Sequence, residues 1–148
     1  MQLTPHFSLE ELVASATAAE KHIDNTPDAA MIANLTTLAQ GLELVRAFLG
    51  NVPMRVSSGY RCSELNKSVG GVPDSAHLTG FAADFEAPQY GSPLHIVASL
   101  AKSGIKYDQC IMEKTWVHVS FDPKMRGQVL TANFHDGHDT TYTEGVQA

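Results

Sequence analysis

The residues that decide the fold of this chain are Ser75-Ala-His77-Leu-Thr-Gly80-Phe-Ala82-Ala-Asp84, followed later by Trp116-Val-His118. Two imidazoles and one carboxylate form a ligand set that zinc takes in catalytic sites, where a fourth position stays open for water. A structural zinc site is closed by four protein ligands, and neither Cys62 nor Cys110 lies in a Cys-x-x-Cys pair. The pattern therefore predicts an open zinc site, with one ion per chain, built from His77, Asp84 and His118.

The chain between the first two predicted ligands must turn sharply. His77 and Asp84 are too far apart in sequence to share one turn of helix or one short strand. Gly80 lies between them, and glycine adopts backbone conformations that other residues avoid. We expect Gly80 to fold the chain so that both side chains face one point.

The third predicted ligand lies in a probable hairpin of two strands, 108–113 and 116–121, joined by Lys114 and Thr115. Successive side chains of a strand point to opposite faces. One face of this hairpin then carries Gln109, Ile111, Glu113, Trp116, His118 and Ser120, and the other carries Cys110, Met112, Val117, Val119 and Phe121. The first face is predicted to line a cleft, and the second to lie in the core.

Helices and further strands are indicated on either side of the motif. Ser8 and Glu11 form a capping box before a first helix, and Thr26-Pro27-Asp28 opens a long apolar-striped helix that ends near Gly50. Two more helices are predicted at 63–69 and from Ser92-Pro93 to Gly104, and two more strands at 54–58 and 81–85. The fold class is predicted to be α+β, a small antiparallel sheet with helices packed on one side.

Composition limits the class of protein. The chain has 148 residues with 43% hydrophobic and 18% charged content, which fits one globular domain acting as a monomer, and no apolar run is long enough to span a membrane. A net charge of -6 without a basic stripe does not favour nucleic acid as a partner. The first residues do not form a signal peptide, so synthesis in the cytoplasm is expected. Cys62 and Cys110 are expected to be free, buried thiols.

The motif resembles the metal-binding core of the M15 family of zinc peptidases. The family pattern Ser-x-His-x-x-Gly-x-Ala-x-Asp is matched at every specified position from Ser75 to Asp84, and Ser58-Gly-Tyr60-Arg61 resembles another family element. Phe7-Ser-Leu-Glu-Glu-Leu12 resembles the first helix of the compact members found in phages and prophages. The resemblance implies a peptidase domain over residues 1–134, and residues 135–148 are expected to form a polar, flexible tail.

This resemblance implies a function and a fold. The family contains D-alanyl-D-alanine carboxypeptidases and phage endolysins, and its zinc fold is shared with hedgehog signalling domains. The expected activity is zinc-dependent hydrolysis of amide bonds in the stem peptides of peptidoglycan, by a carboxypeptidase or an endopeptidase. A phage-type lysis enzyme is favoured, which reaches the cell wall after release from the cell.

Other site residues are assigned partly through the resemblance. Glu113 is the candidate general base, although in some relatives the catalytic acid stands where this chain has Thr115. Arg61 resembles an arginine that holds the substrate and stabilises charge on the carbonyl oxygen. Ser75 is expected either to bind substrate or to cap its loop, and Trp116 to wall the cleft where several relatives carry a second histidine.

Two alternatives remain open at the level of sequence. Because Thr115 and Trp116 depart from the pattern of some relatives, the chain fits a zinc-stabilised cell-wall-binding module without catalysis. A virion-associated part is a third reading, although no assembly segment is recognisable in the 148 residues.

Overall fold

The computed structural model describes residues 1–147, which form five α-helices and eight β-strands. The helices are α1 (Leu9–Val13), α2 (Ala16–Glu20), α3 (Ala29–Phe48), α4 (Ser63–Ser68) and α5 (Pro93–Ala101). The strands are β1 (Gln2–Thr4), β2 (Phe7–Ser8), β3 (Arg55–Ser58), β4 (Ala82–Glu86), β5 (Gln109–Met112), β6 (Val117–Ser120), β7 (Gln128–His135) and β8 (His138–Glu144). A short 3-10 helix, Ala76–Thr79, precedes β4. None of the described helices is long and apolar enough to cross a membrane.

The helix starts follow from capping side chains, mostly as the sequence predicts. Ser8 and Ser92 cap α1 and α5 through their hydroxyl groups. At α3 the cap is Asp28, whose carboxylate accepts a hydrogen bond from the backbone N–H of Met31 at 2.8 Å. Pro27 therefore precedes the cap and lies outside the first turn of α3.

The main sheet has six strands in the order β3-β4-β6-β5-β7-β8, and β1 and β2 form a separate antiparallel pair. All neighbours in the main sheet are antiparallel except β5 and β7, which are parallel. The structure combines helices and strands as the predicted α+β class does, with a small antiparallel sheet of β1 and β2 and a larger sheet that is mixed. The connection from β6 to β7 crosses β5, so β7 joins the sheet on the other side of β5. Because β7 runs opposite to β6, as β5 does, β5 and β7 are parallel.

The hydrophobic core lies between one face of this sheet and helices α3 and α5. Both helices pack an apolar stripe against the sheet. The side chains that they contact come from alternate residues of β4, β5 and β6. The buried residues of this core include Leu35, Leu38, Leu42, Val45, Ile96, Val97, Leu100, Ala83, Phe85, Cys110, Val117 and Val119. The opposite face of the same strands is left to carry polar side chains.

The C-terminal segment differs from the sequence prediction. Residues 135–148 were expected to form a flexible tail, but the structure pairs β8 with β7 as an antiparallel hairpin. Asp136-Gly137 forms the turn, and Gly137 has a φ of 69°. This dipeptide is a strong hairpin signal, and Thr140, Thr141 and Thr143 favour a strand despite their polarity. Residue 148 lies outside the described part of the chain.

The two cysteines are free thiols, as expected. Cys110 is buried on the core side of β5, and burial raises the pKa of its thiol to about 12. Cys62 is only partly buried, and its sulfur caps helix α4 by accepting from the backbone N–H of Leu65. A disulfide does not contribute to this fold.

Replacing Gly41 with alanine should destabilise the protein. Alanine normally stabilises a helix interior by about 1 kcal/mol relative to glycine. A Cβ on Gly41 would however lie 2.5 to 2.6 Å from ring carbons of Phe121, so the ring would have to move. We expect the free energy of unfolding, measured by urea denaturation, to fall by about 1 to 3 kcal/mol. The exposed neighbour Gln40→Ala is the control, and a stabilised Gly41→Ala would contradict this packing.

Asp108 fixes the segment that leads into β7. Its carboxylate accepts two side-chain hydrogen bonds from Arg126, both 2.8 Å long, and one from the Arg126 backbone N–H. These hydrogen bonds lower the pKa of the Asp108 carboxyl. The stabilisation is therefore complete above the unfolded pKa of about 3.9 and declines as the pH falls through the lower folded pKa.

Asp108→Asn should lower the free energy of unfolding by about 1 to 3 kcal/mol at pH 7, because it removes a charged partner of Arg126. The difference between wild type and variant should shrink below about pH 4, because Asp108 of the unfolded wild type is protonated there before the folded carboxylate is. Urea denaturation across pH 3 to 7 measures both quantities. A difference that stays constant over this range would exclude the ion pair as its source.

Candidate metal centre

His77 enters the cleft from the 3-10 helix that precedes β4. The hydroxyl of Ser75 caps this helix by accepting a hydrogen bond from the backbone N–H of His77, at 3.2 Å. Gly80 ends the helix with a φ of 79°, and a Cβ there would lie 3.2 Å from the carbonyl oxygen of Met31. The turn predicted at Gly80 is present, and it leads directly into β4.

Asp84 and His118 are brought together by the sheet itself. They are directly opposite each other in the antiparallel register of β4 and β6. Oδ1 of Asp84 lies 3.2 Å from Nε2 of His77 and 3.0 Å from Nδ1 of His118. One carboxylate oxygen thus faces both imidazole rings, and all three side chains are buried.

The imidazole of His77 is oriented by the backbone. Its Nδ1 lies 2.6 Å from the carbonyl oxygen of Gly59, which can only accept a hydrogen bond. The proton of the neutral ring is therefore on Nδ1, and the lone pair of Nε2 points towards Asp84. Metal-binding histidines usually have such a partner on their second nitrogen, because it fixes both the tautomer and the ring position.

These residues fit a divalent metal ion. One ligand atom from each of His77, Asp84 and His118 lies within 4.8 Å of the other two. Burial acts to raise the pKa of Asp84, but its contacts with the imidazoles of His77 and His118 hold that pKa well below its usual range. Burial lowers the pKa of His77. An ionised carboxylate and a neutral imidazole are the protonation states that metal coordination requires.

Glu113 lies beside this cluster, in the connection between β5 and β6. Its backbone N–H donates to the carbonyl oxygen of Trp116 at 3.1 Å and closes the hairpin, while its side chain lines the same cleft as the cluster. Burial raises the pKa of the Glu113 carboxyl, and the charge of Asp84 acts in the same direction. A raised pKa suits a carboxyl group that takes up a proton and releases it again.

Arg61 flanks the cluster on another side. Its Nη2 lies 3.8 Å from Oδ2 of Asp84, and Nη1 donates to Oδ1 of Asn66 at 3.2 Å. Nε is buried and has no hydrogen-bond partner among the described residues. A buried guanidinium with an unused donor is available to bind an oxygen of a ligand.

Asn66 holds this arginine and Gly71 leaves room for it, and neither residue was predicted from the sequence. Asn66 is 2% exposed, and its side-chain amide donates to the carbonyl oxygen of Val72 at 2.9 Å, which directs Oδ1 towards Arg61. A Cβ on Gly71 would lie 2.1 Å from this oxygen and 2.7 Å from Nη1 of Arg61. Nothing in the sequence marked Asn66, a polar residue of α4, or the Gly70-Gly71 pair that follows the helix as functional.

The cluster opens into a cleft of about 620 Å³. Ser75, Trp116, Glu113 and Arg61 all line it, so the structure gathers every residue that the sequence singled out. Nε1 of Trp116 is buried without a hydrogen-bond partner in the described chain. The cleft also has lining residues that the sequence analysis missed, from the C-terminal hairpin: Leu130, Phe134, Thr140 and Tyr142.

A three-residue centre of two imidazoles and a carboxylate, open to a cleft with a neighbouring carboxyl group, is the arrangement of a metallohydrolase. A family model described as Peptidase M15 matches residues 5–120. The chain belongs to this peptidase family, as its motif predicts. No match was found among curated proteins.

Replacing Asn66 should reduce peptidase turnover without affecting the metal site. Asn66→Ala removes the acceptor that holds Nη1 of Arg61, so we expect a turnover number at least about tenfold lower, equivalent to about 1.4 kcal/mol. Metal affinity, measured by competition with a chromophoric chelator, should stay within about twofold because Asn66 supplies no metal-binding atom.

Asn34→Ala is the matched control for this variant. It removes one amide-to-carbonyl hydrogen bond, from Asn34 to Thr79, without contacting Arg61. If both variants lost turnover equally, or if Asn66→Ala lost the metal, Asn66 would have only a structural role.

Proposed function

We propose that this chain is a zinc-dependent peptidase that cuts amide bonds in the peptide part of bacterial peptidoglycan, as a phage-type lysis enzyme. The observation that carries the proposal is the convergence of His77, Asp84 and His118 in a cleft that also presents Glu113 and Arg61. Membership of the M15 family supports peptidase chemistry. The resemblance to compact phage members and to D-alanyl-D-alanine carboxypeptidases, including their hedgehog-type zinc fold, supports the substrate class.

The ion is proposed to be zinc, held by Nε2 of His77, a carboxylate oxygen of Asp84 and Nδ1 of His118. Two nitrogen ligands and one oxygen ligand suit zinc better than magnesium or calcium, which prefer oxygen ligands alone. When bound, zinc polarises the amide carbonyl and lowers the pKa of water towards 7.

Glu113 is proposed to move the proton during hydrolysis. Its carboxylate accepts a proton from the attacking water, and the resulting carboxylic acid donates that proton to the nitrogen of the departing amine. The raised pKa of Glu113 supports both steps, because a carboxyl group with an ordinary pKa would hold the proton too weakly to return it.

Arg61 is proposed to bind the substrate oxygen on which negative charge develops. Its buried Nε has no partner in the described chain, so it can donate to that oxygen without first breaking a protein hydrogen bond. Asn66 holds the guanidinium in place for this task, and Trp116 forms the cleft wall that excludes water.

Mass spectrometry of purified peptidoglycan, incubated with the zinc-loaded protein, tests the function. We expect new peptide ends, which also identify the bond that is cut. Treatment with a chelator should abolish them, and Glu113→Gln should lower the rate by at least about 100-fold because it removes general acid-base catalysis. Glu113→Gln should still bind zinc, since Glu113 is not one of the three proposed ligands.

Glu20→Gln is the matched control, because Glu20 is exposed on α2 and does not line the cleft. If zinc is bound but the peptidoglycan is not digested, the peptidase hypothesis is rejected in favour of the cell-wall-binding module. Digestion that survives Glu113→Gln would remove Glu113 from the mechanism and leave the peptidase in place.

A further inference from the structure

The C-terminal hairpin of β7 and β8 builds one wall of the cleft, although it lies beyond the residues that match the family model. It joins the sheet through the parallel pairing of β7 with β5, from Gln109 opposite Gln128 to Met112 opposite Thr131. The side chain of Gln109 donates to that of Gln128 at 2.9 Å and links the two strands further. The hairpin therefore continues the sheet next to the strand that leads into Glu113.

The register of the hairpin turns one of its faces to the cleft. Leu130 is paired with Ile111, and both line the cleft. Phe134 lies four residues further along β7 and lines the same cleft as Leu130. Tyr142 is paired with Ala132, which lies between them in β7. Phe134 and Tyr142 are thus held beside the metal centre by the backbone pairing of the sheet.

Both of these aromatic side chains are exposed. Phe134 is 38% and Tyr142 is 43% exposed, and the ring of Phe134 is tilted against Trp116 with 6.2 Å between the ring centroids. Of the eight large hydrophobic side chains that are exposed in the described chain, four line this one cleft: Val69, Val72, Phe134 and Tyr142. Exposed apolar groups concentrated in a cleft are typical of a ligand-binding surface.

The charged groups around this wall indicate what charge a bound group can carry. Burial raises the pKa of Tyr142, and the negative charges of Glu113, Asp74 and Asp84 add to this effect. An anionic group would therefore be repelled at this position. Lys114 is a cation beside Phe134, and its ammonium group already lies 4.7 Å from the centroid of that ring. The cations that line the cleft, Arg61, Lys124 and Arg126, do not belong to the hairpin. The wall fits a neutral group with a flat apolar face and hydrogen-bonding edges.

We propose that Trp116, Phe134 and Tyr142 form a saccharide subsite, which binds a sugar ring of the glycan strand that carries the stem peptide. A pyranose ring offers a flat face of C–H groups to aromatic rings, and its hydroxyl and N-acetyl groups can bond to the hydroxyls of Tyr142 and Thr140. The inference rests on the proposed function. It adds that the enzyme distinguishes a stem peptide attached to glycan from the same peptide free in solution.

Binding to the zinc-loaded Glu113→Gln variant tests the subsite without turnover. The two probes are a stem tetrapeptide and the same tetrapeptide attached to its N-acetylglucosaminyl-N-acetylmuramyl disaccharide. Trp116 is the single tryptophan of the chain, so its fluorescence reports binding in this cleft. We expect the disaccharide to tighten binding by about fivefold to tenfold, the size of one or two aromatic contacts.

The ratio of the two affinities, with and without the disaccharide, measures the subsite. Phe134→Ala and Tyr142→Ala, each combined with Glu113→Gln, should bring this ratio close to one. Phe134→Leu keeps an apolar side chain without a flat ring, so it should lose most of the ratio as well. Phe48→Ala is the control, because Phe48 is an exposed aromatic residue of α3 outside the cleft lining, and it should leave the ratio unchanged.

A ratio near one in the background protein, or a ratio that survives both alanine variants, would overturn the saccharide subsite. Retention of the ratio in Phe134→Leu would also overturn it, because apolar area alone would then suffice. Digestion of whole peptidoglycan by the wild-type protein is scored separately. Digestion with a ratio of one would reject only the subsite, and a ratio lost in the alanine variants without any digestion would reject only the peptidase.

Discussion

The antiparallel pairing of β4 with β6 is the constraint on which the rest of the site depends. It places Asp84 opposite His118 on one face of the sheet, while Ala83 and Val119 form the next pair and face the core. A shift of either strand by one residue would exchange these faces, burying ligands among aliphatic side chains. The same hydrophobic contacts that fix the register against α3 and α5 therefore align two of the three candidate ligands.

The opposite face of the sheet carries polar groups that cost stability unless they are paired. Several of them have partners: His77 contacts the Gly59 carbonyl, Asp84 contacts both rings, and Nη1 of Arg61 contacts Asn66. Nε of Arg61 and Nε1 of Trp116 have none among the described residues. A bound metal ion would offset the remaining cost of holding two imidazoles and a carboxylate together out of water. A metal ion bound by these residues would therefore stabilise this face of the sheet.

The cleft is formed by two parts of the chain, one inside and one outside the region that matches the family model. Its floor, with the candidate metal ligands and Glu113, comes from the region that matches the M15 family. One outer wall comes from the hairpin of β7 and β8, whose attachment beside β5 is secured by the ion pair of Asp108 with Arg126. The candidate ligands Asp84 and His118 and the outer wall of the cleft are therefore built on different strands of one sheet.

The sequence by itself determined the motif from Ser75 to Asp84, the helix caps, the alternation of the hairpin that carries His118, and the peptidase family. These features depend on local spacing and residue type, which a linear pattern records. Only the tertiary structure decided that β5 and β7 are parallel, that Asn66 holds Arg61, and that the polar C-terminal segment forms a cleft wall. The strand pairing and the cleft wall depend on contacts between segments far apart in the chain. The Asp136-Gly137 turn and the threonines of β8 indicate a hairpin, but they do not indicate which strand it joins, because that partner is brought near only when the sheet has formed.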